Sequence, residues 1–89
     1  VPTTETRMND KLLKILKAGY ISGDVAGNLL VIKTASGMAM AVAAALDALN
    51  YHEIVGCIAG DDTIMCAIRT VEDTAAVMDK IRKIVSREV

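Results

Sequence analysis

The sequence predicts an α+β fold. It is a two-layer sandwich in which two helices cover one face of a four-stranded antiparallel sheet, in the order ββαββα, after a short leading helix. Three observations carry this expectation. Two pairs of β-prone runs are each joined by a short turn-forming step. Each pair is followed by a segment with helical spacing. And 89 residues, 53% hydrophobic, with six glycines and one proline, suffice for one core and not for two.

The elements follow in order. Val1–Asn9 is polar, threonine-rich and carries the only proline, and reads as a linker or frayed terminus, with the domain proper at 10–89. Because Val1 rather than Met opens the chain, a piece of a longer protein is expected. Asp10–Lys17 places apolar residues at 12, 13, 15 and 16, which fits a short helix. Tyr20–Val25 and Leu29–Thr34 flank Ala26-Gly27-Asn28 and predict a hairpin. Ser36-Gly37 then opens an alanine-rich helix, Met38–Leu49.

Ile54–Ala59 and Ile64–Arg69 predict a second hairpin around Gly60-Asp61-Asp62-Thr63. Thr70 is a suitable N-cap for a last helix, with Asp73 three residues on. Val77, Met78, Ile81, Ile84 and Val85 form its apolar stripe, and Asp79 stands four residues before Lys83 on the polar side.

One helix and one hairpin carry more apolar surface than a two-layer monomer can bury. On the helix Met38–Leu49, residues Met38, Val42, Ala45, Leu46 and Leu49 fall on the side expected to face the sheet. Met40, Ala43, Ala44 and Asp47 fall opposite, where a monomer would present lysine and glutamate. The plainer alternative is an exposed alanine face, since alanine is the best helix former. In the second hairpin Ile64, Cys66 and Ile68 point one way, Met65 and Ala67 the other, so both faces are apolar. Together these features predict a homo-oligomer.

Composition excludes several classes. Ten basic and eleven acidic side chains give a net charge of -1, without the basic excess of a nucleic-acid-binding surface. No apolar run is long enough to span a bilayer, and no signal peptide opens the chain. Two cysteines without a secretory signal point to free thiols in a reducing, cytoplasmic setting. Cys57 and Cys66 lie on neighbouring strands, in a register the sequence leaves open, and are expected as small buried hydrophobes; with His52 they would make too few ligands for a metal. His52 itself, between Tyr51 and Glu53, is expected to be a solvated loop residue. No phosphate loop, C-x-x-C or nucleophile elbow is present, so no catalytic residue, metal or cofactor is assigned.

Asp61 and Asp62 are the chemistry-bearing pair. Aspartate suits turns by bonding nearby backbone N–H groups, which explains them structurally. Flanked by apolar surface, they also suit a guanidinium, whose planar fork a carboxylate accepts through two parallel charge-assisted hydrogen bonds.

The run Gly56-Cys57-Ile58-Ala59-Gly60-Asp61-Asp62-Thr63 resembles the G-T-I-A-G-D-D-T signature of the bacterial arginine repressor family. Leu30–Gly37 resembles that family's strand ending in K-T-x-P-G. Asp47 falls where its first helix carries an acid, and Tyr51-His52-Glu53-Ile54 resembles its W-D-E-I connection. The resemblance covers about Leu12 to Val85.

It implies the oligomerisation and effector-binding domain of an arginine-responsive transcriptional regulator. Such domains form trimers that pair into hexamers and bind L-arginine between the trimers. Operator DNA would be bound only through an N-terminal winged helix-turn-helix that this sequence does not include. Carried over residue by residue, the guanidinium contacts fall on Asp61 and Asp62, the polar end of the ligand on Asp47, and backbone contacts on Ala59 and Thr63. Met40 stands where the family has a glutamine that touches the ligand, and Cys57 replaces a threonine, so a structural trimerisation domain with an altered effector site is the alternative.

Overall fold

The computed structural model describes residues 2–86, with side chains from Asp10 onward. Its elements run α1 (Pro2–Gly19), β1 (Tyr20–Ala26), β2 (Leu29–Thr34), α2 (Ala39–Leu49), β3 (Ile54–Ala59), β4 (Thr63–Ile68) and α3 (Val71–Ser86). The predicted α+β class and element order hold. Val1 lies outside the described residues. From Pro2 onward the stretch read as linker has helical backbone, so α1 starts eight residues before Asp10 and ends two after Lys17. Proline is well suited to a first helical position, where its missing N–H would have had no partner.

The four strands form one antiparallel sheet in the order β1-β2-β4-β3. The turn between β1 and β2 is Gly27-Asn28, and Gly27 supplies the positive φ of 63° that a tight hairpin requires. β2 and β4 are central, and their inward residues Leu30, Ile32, Thr34, Ile64, Cys66 and Ile68 are buried. α2 and α3 supply the opposing layer through Val42, Ala45, Leu46, Val77, Met78 and Ile81. Each helix end is locally specified. α2 stops at Asn50, which adopts a left-handed φ of 60° and donates its N–H to the Asp47 carbonyl. α3 starts at Thr70, whose hydroxyl accepts from Asp73 N–H at 2.9 Å, the predicted cap.

The leading helix α1 packs chiefly along α2 and secondarily against α3, rather than on the sheet. This corrects one sequence expectation. Ala43, assigned to the exposed side of α2, is buried at 9% exposure and belongs to the core. α2 packs against the sheet and also against α1. Met40, Ala44 and Asp47 remain exposed as expected. Gly19 marks the close approach of the two helices, since a Cβ there would meet Val42 Cγ2 at 2.5 Å.

The sheet face opposite the helices is apolar on its β3–β4 side. Val55, Ile58 and Met65 are exposed there at 61%, 78% and 46%, around Gly56 and Ala67. Met65 and Ala67 therefore point away from the core while Ile64, Cys66 and Ile68 point into it, as the alternation predicts.

Candidate functional site

The site grows out of the β3–β4 turn. Gly60 N–H donates to the Thr63 carbonyl at 2.8 Å, which closes the turn and projects Asp61 and Asp62 beyond the sheet. Neither backbone is left idle. The Asp62 carbonyl accepts from Thr34 N–H at 2.8 Å, at the end of β2, and the Asp61 carbonyl accepts from Ala39 N–H at 3.1 Å, at the start of α2. The N-cap position of α2 is Met38, which has no side-chain cap to offer, so the acidic turn supplies a partner for one otherwise orphaned helix N–H. The turn is thereby fixed to two elements distant in sequence, and its carboxylates sit beside the electropositive end of α2.

The side chains form a short polar chain. Ser36 Oγ donates to Asp61 Oδ2 at 3.3 Å. Thr63 Oγ1 donates to Asp62 Oδ1 at 2.9 Å and accepts from Lys33 Nζ at 3.1 Å. Among the described residues, Asp61 Oδ1 and Asp62 Oδ2 have no hydrogen-bond partner, so each exposed carboxylate keeps an oxygen for a cation. Two such oxygens can accept paired N–H groups from a planar cation such as a guanidinium.

The other sequence-predicted positions divide. Ala59 ends β3 opposite Ile64 and is half-buried, next to the turn. Met40 follows the Ala39 that bonds Asp61, so it stands at the turn, and it is 73% exposed. Asp47 is not gathered with them. Seven residues further along α2, it lies on the same face as Met40 but about 10 Å away, with exposed Ala44 between. Asp47 instead lines a cleft at the other end of α2 with Leu46, Asn50, Tyr51, Ile54, Val55 and Gly56.

The connection after α2 is pinned rather than loose. Lys80 Nζ lies 3.4 Å from Glu53 Oε2 and 5.1 Å from the centre of the Tyr51 ring. Burial pushes the Tyr51 phenol up, while the backbone N–H bond to the Glu53 carboxyl, aided by Lys80, holds that acid below its usual range. His52 is exposed, as expected, and its carbonyl accepts from Arg69 Nε at 2.9 Å.

Sequence reasoning missed Ser36 and Lys33 as partners of the acidic turn. The signal was present, since both lie in the Leu30–Gly37 segment already singled out, but their contacts span 25 and 30 residues.

The sequence profile of the arginine repressor C-terminal domain matches residues 16–83, which contain both hairpins, α2, the acidic turn and most of α3. The chain belongs to this family. Arginine repressors of Lachnoclostridium phytofermentans and Lachnospira eligens are 61% and 66% identical to it, over 92% and 86% of this chain respectively. The arginine repressor of Alkaliphilus oremlandii is 45% identical over 90% of the chain. The matched regions make up 54%, 51% and 54% of those proteins, so the chain spans about half the length of the curated relatives it matches. The names are those of transcription regulators, not enzymes. Among the described residues, no helix is long and apolar enough to cross a membrane.

Proposed function

We propose that this arginine repressor C-terminal domain is the oligomerisation and effector-binding core of a transcriptional regulator of arginine metabolism, acting in the cytoplasm. It assembles as trimers that pair into hexamers, and L-arginine binds between the trimers as corepressor. Operator DNA is bound through a winged helix-turn-helix outside the chain described above. Asp61 and Asp62 take the guanidinium, Asp47 takes the ligand's polar end, and Ala59 and Thr63 contribute backbone groups.

The observation that carries this reading is the fixed acidic turn at the end of an exposed α2 stripe, with two carboxylate oxygens that have no partner among the described residues. Asp47 lies two helical turns along α2 from Met40, the residue at the acidic turn, which supports a site completed by more than one subunit. Arginine acts by linkage: it binds the hexamer better than separate trimers, neutralising acidic turns that assembly brings together. The assembled core fixes the spacing of the attached DNA-binding domains, and multivalency raises operator affinity.

Met40 favours a second reading. Its thioether cannot donate a hydrogen bond and accepts only weakly, so one contact to the ligand's amino-acid end is lost, and a purely structural assembly domain would result if binding went with it. Calorimetry with L-arginine, run beside light scattering, tests both. We expect arginine heat in the wild type, together with a shift in mass toward the hexamer. Met40→Gln should tighten binding several-fold to about a hundredfold, as a restored hydrogen bond of roughly 0.5–3 kcal/mol predicts. No heat in either protein, with the assembly intact, would leave only the structural role.

A further inference from the structure

The register of β3 and β4 places Cys57 directly opposite Cys66. The hydrogen-bond alternation defines the kind of pair. Gly60 and Thr63 are a hydrogen-bonded pair at the turn, and Ile68 N–H is directed away from β3, to the Asn28 carbonyl. Stepping back from Gly60, every second pair lacks ladder bonds, and Cys57–Cys66 is one of these. Such pairs bring Cα atoms to about 4.5 Å and side chains together on one face. That separation lies within the roughly 4.4–6.8 Å that a disulfide bridges. Both thiols are free.

We propose that Cys57 and Cys66 are a redox pair, which a hydroperoxide converts into a reversible cross-strand disulfide that fixes the hairpin carrying the acidic turn. Access orders the steps. Cys66 is fully buried and Cys57 half-buried, so the oxidant meets Cys57 first. The Cys66 thiol donates to the Cys57 sulfur and holds the Cys57 thiol below its ordinary value, which favours the nucleophilic thiolate. The Cys57 sulfur attacks the peroxide, the O–O bond breaks, and a sulfenic acid forms with release of one water or alcohol. The Cys66 sulfur then displaces the sulfenic hydroxyl, which leaves as water with the Cys66 proton. Two thiols lose two electrons and two protons, and the peroxide is reduced.

The Cys66 thiol is held well above its ordinary value, chiefly by its bond to Cys57 and then by burial, with the Asp47 charge adding to it. Burial of Cys66 and its place directly opposite Cys57 suit it to the second step, attack on the oxidised Cys57 sulfur. A dithiol reductant restores both thiols by exchange.

The test uses this chain, whose only cysteines are these two. Reduced protein is treated with a small excess of hydrogen peroxide, and digested without reductant for peptide mass mapping. We expect a linked peptide pair from Cys57 and Cys66 within one chain, lighter by two hydrogens and recovered on reduction. Backbone hydrogen exchange of oxidised protein should slow at residues 60–63 relative to reduced protein. In Cys66→Ala, Cys57 should stop at a sulfenic acid that dimedone traps; should that variant not fold, the wild-type map decides alone. Interchain disulfides, or over-oxidation of Cys57 with Cys66 still reduced, would overturn the pair. A disulfide with unchanged exchange at the turn would overturn its effect on the hairpin.

Discussion

Asp61 does two jobs that a single substitution separates. Its carbonyl holds the first turn of α2, and its carboxylate keeps one oxygen open. Asp61→Asn preserves the backbone bond and the shape while removing the charge. Charged hydrogen bonds contribute about 1.5–3 kcal/mol, so on the proposed function arginine affinity should fall about tenfold or more. Calorimetry reads the loss, and light scattering should show the same mass as the unsubstituted protein, because the apolar contacts are untouched. Unchanged affinity would place the ligand elsewhere. Gly19 is a residue of the opposite kind, needed for what it lacks. In Gly19→Ala the new methyl would lie 2.5 Å from Val42 Cγ2, and a β-branched side chain in a helix has essentially one rotamer to offer. Strain of about 1–3 kcal/mol exceeds the gain of about 0.5–1 kcal/mol that alanine brings to a helix. The midpoint of urea unfolding should therefore drop, with little change in slope.

At the scale of elements, the helices differ in where their termini are satisfied. α3 is self-contained at its start: Thr70 Oγ1 accepts from Asp73 N–H, and the Thr70 carbonyl accepts from both the N–H and the hydroxyl of Thr74. Thr70→Ala should cost about 1 kcal/mol, within a range of roughly 0.5–2, and Thr70→Ser should recover most of it; chemical denaturation measures both. The Asp79–Lys83 pair on the same helix, at 3.3 Å with both side chains exposed, contributes little by comparison. α2 has no such autonomy. Its N-terminus depends on the carbonyl of a turn 22 residues downstream, so stabilising the hairpin also stabilises the start of the helix. The link joins Ala39, the first residue of α2 and the neighbour of Met40, to the acidic turn through a backbone bond.

For the whole molecule, two patches of unburied apolar surface bear on assembly. The stripe of α2 with Met40 and Ala44 lies beside the acidic turn, and the outer sheet face with Val55, Ile58 and Met65 lies opposite the helices. Monomeric proteins seldom leave such patches open, which supports assembly through them. Ala44→Glu introduces a charge in the centre of the α2 stripe. If that stripe is covered by another subunit, an unpaired buried carboxylate costs several kcal/mol and the mass by sedimentation should shift toward smaller species. A mass unaffected by Ala44→Glu would assign assembly to the sheet face alone.

The sequence by itself determined what depends on near neighbours. Alternation in β2 and β4, the Gly27 turn, the Thr70 cap and the spacing of Val77, Met78 and Ile81 are each set within a few residues, and each was legible. So was the acidic turn, because two aspartates in an apolar run are conspicuous. Tertiary structure decided what depends on contacts between distant segments. The α1 helix extends back to Pro2 and lies along α2, and Ala43 is buried although its own helix periodicity put it outside. The strand order β1-β2-β4-β3 brings Lys33 and Ser36 to the turn and sets Cys57 against Cys66. Local periodicity fixes which face of an element is apolar. Which neighbour covers that face, and in what register, is settled only when the whole chain packs, because each choice trades burial in one element against burial in another.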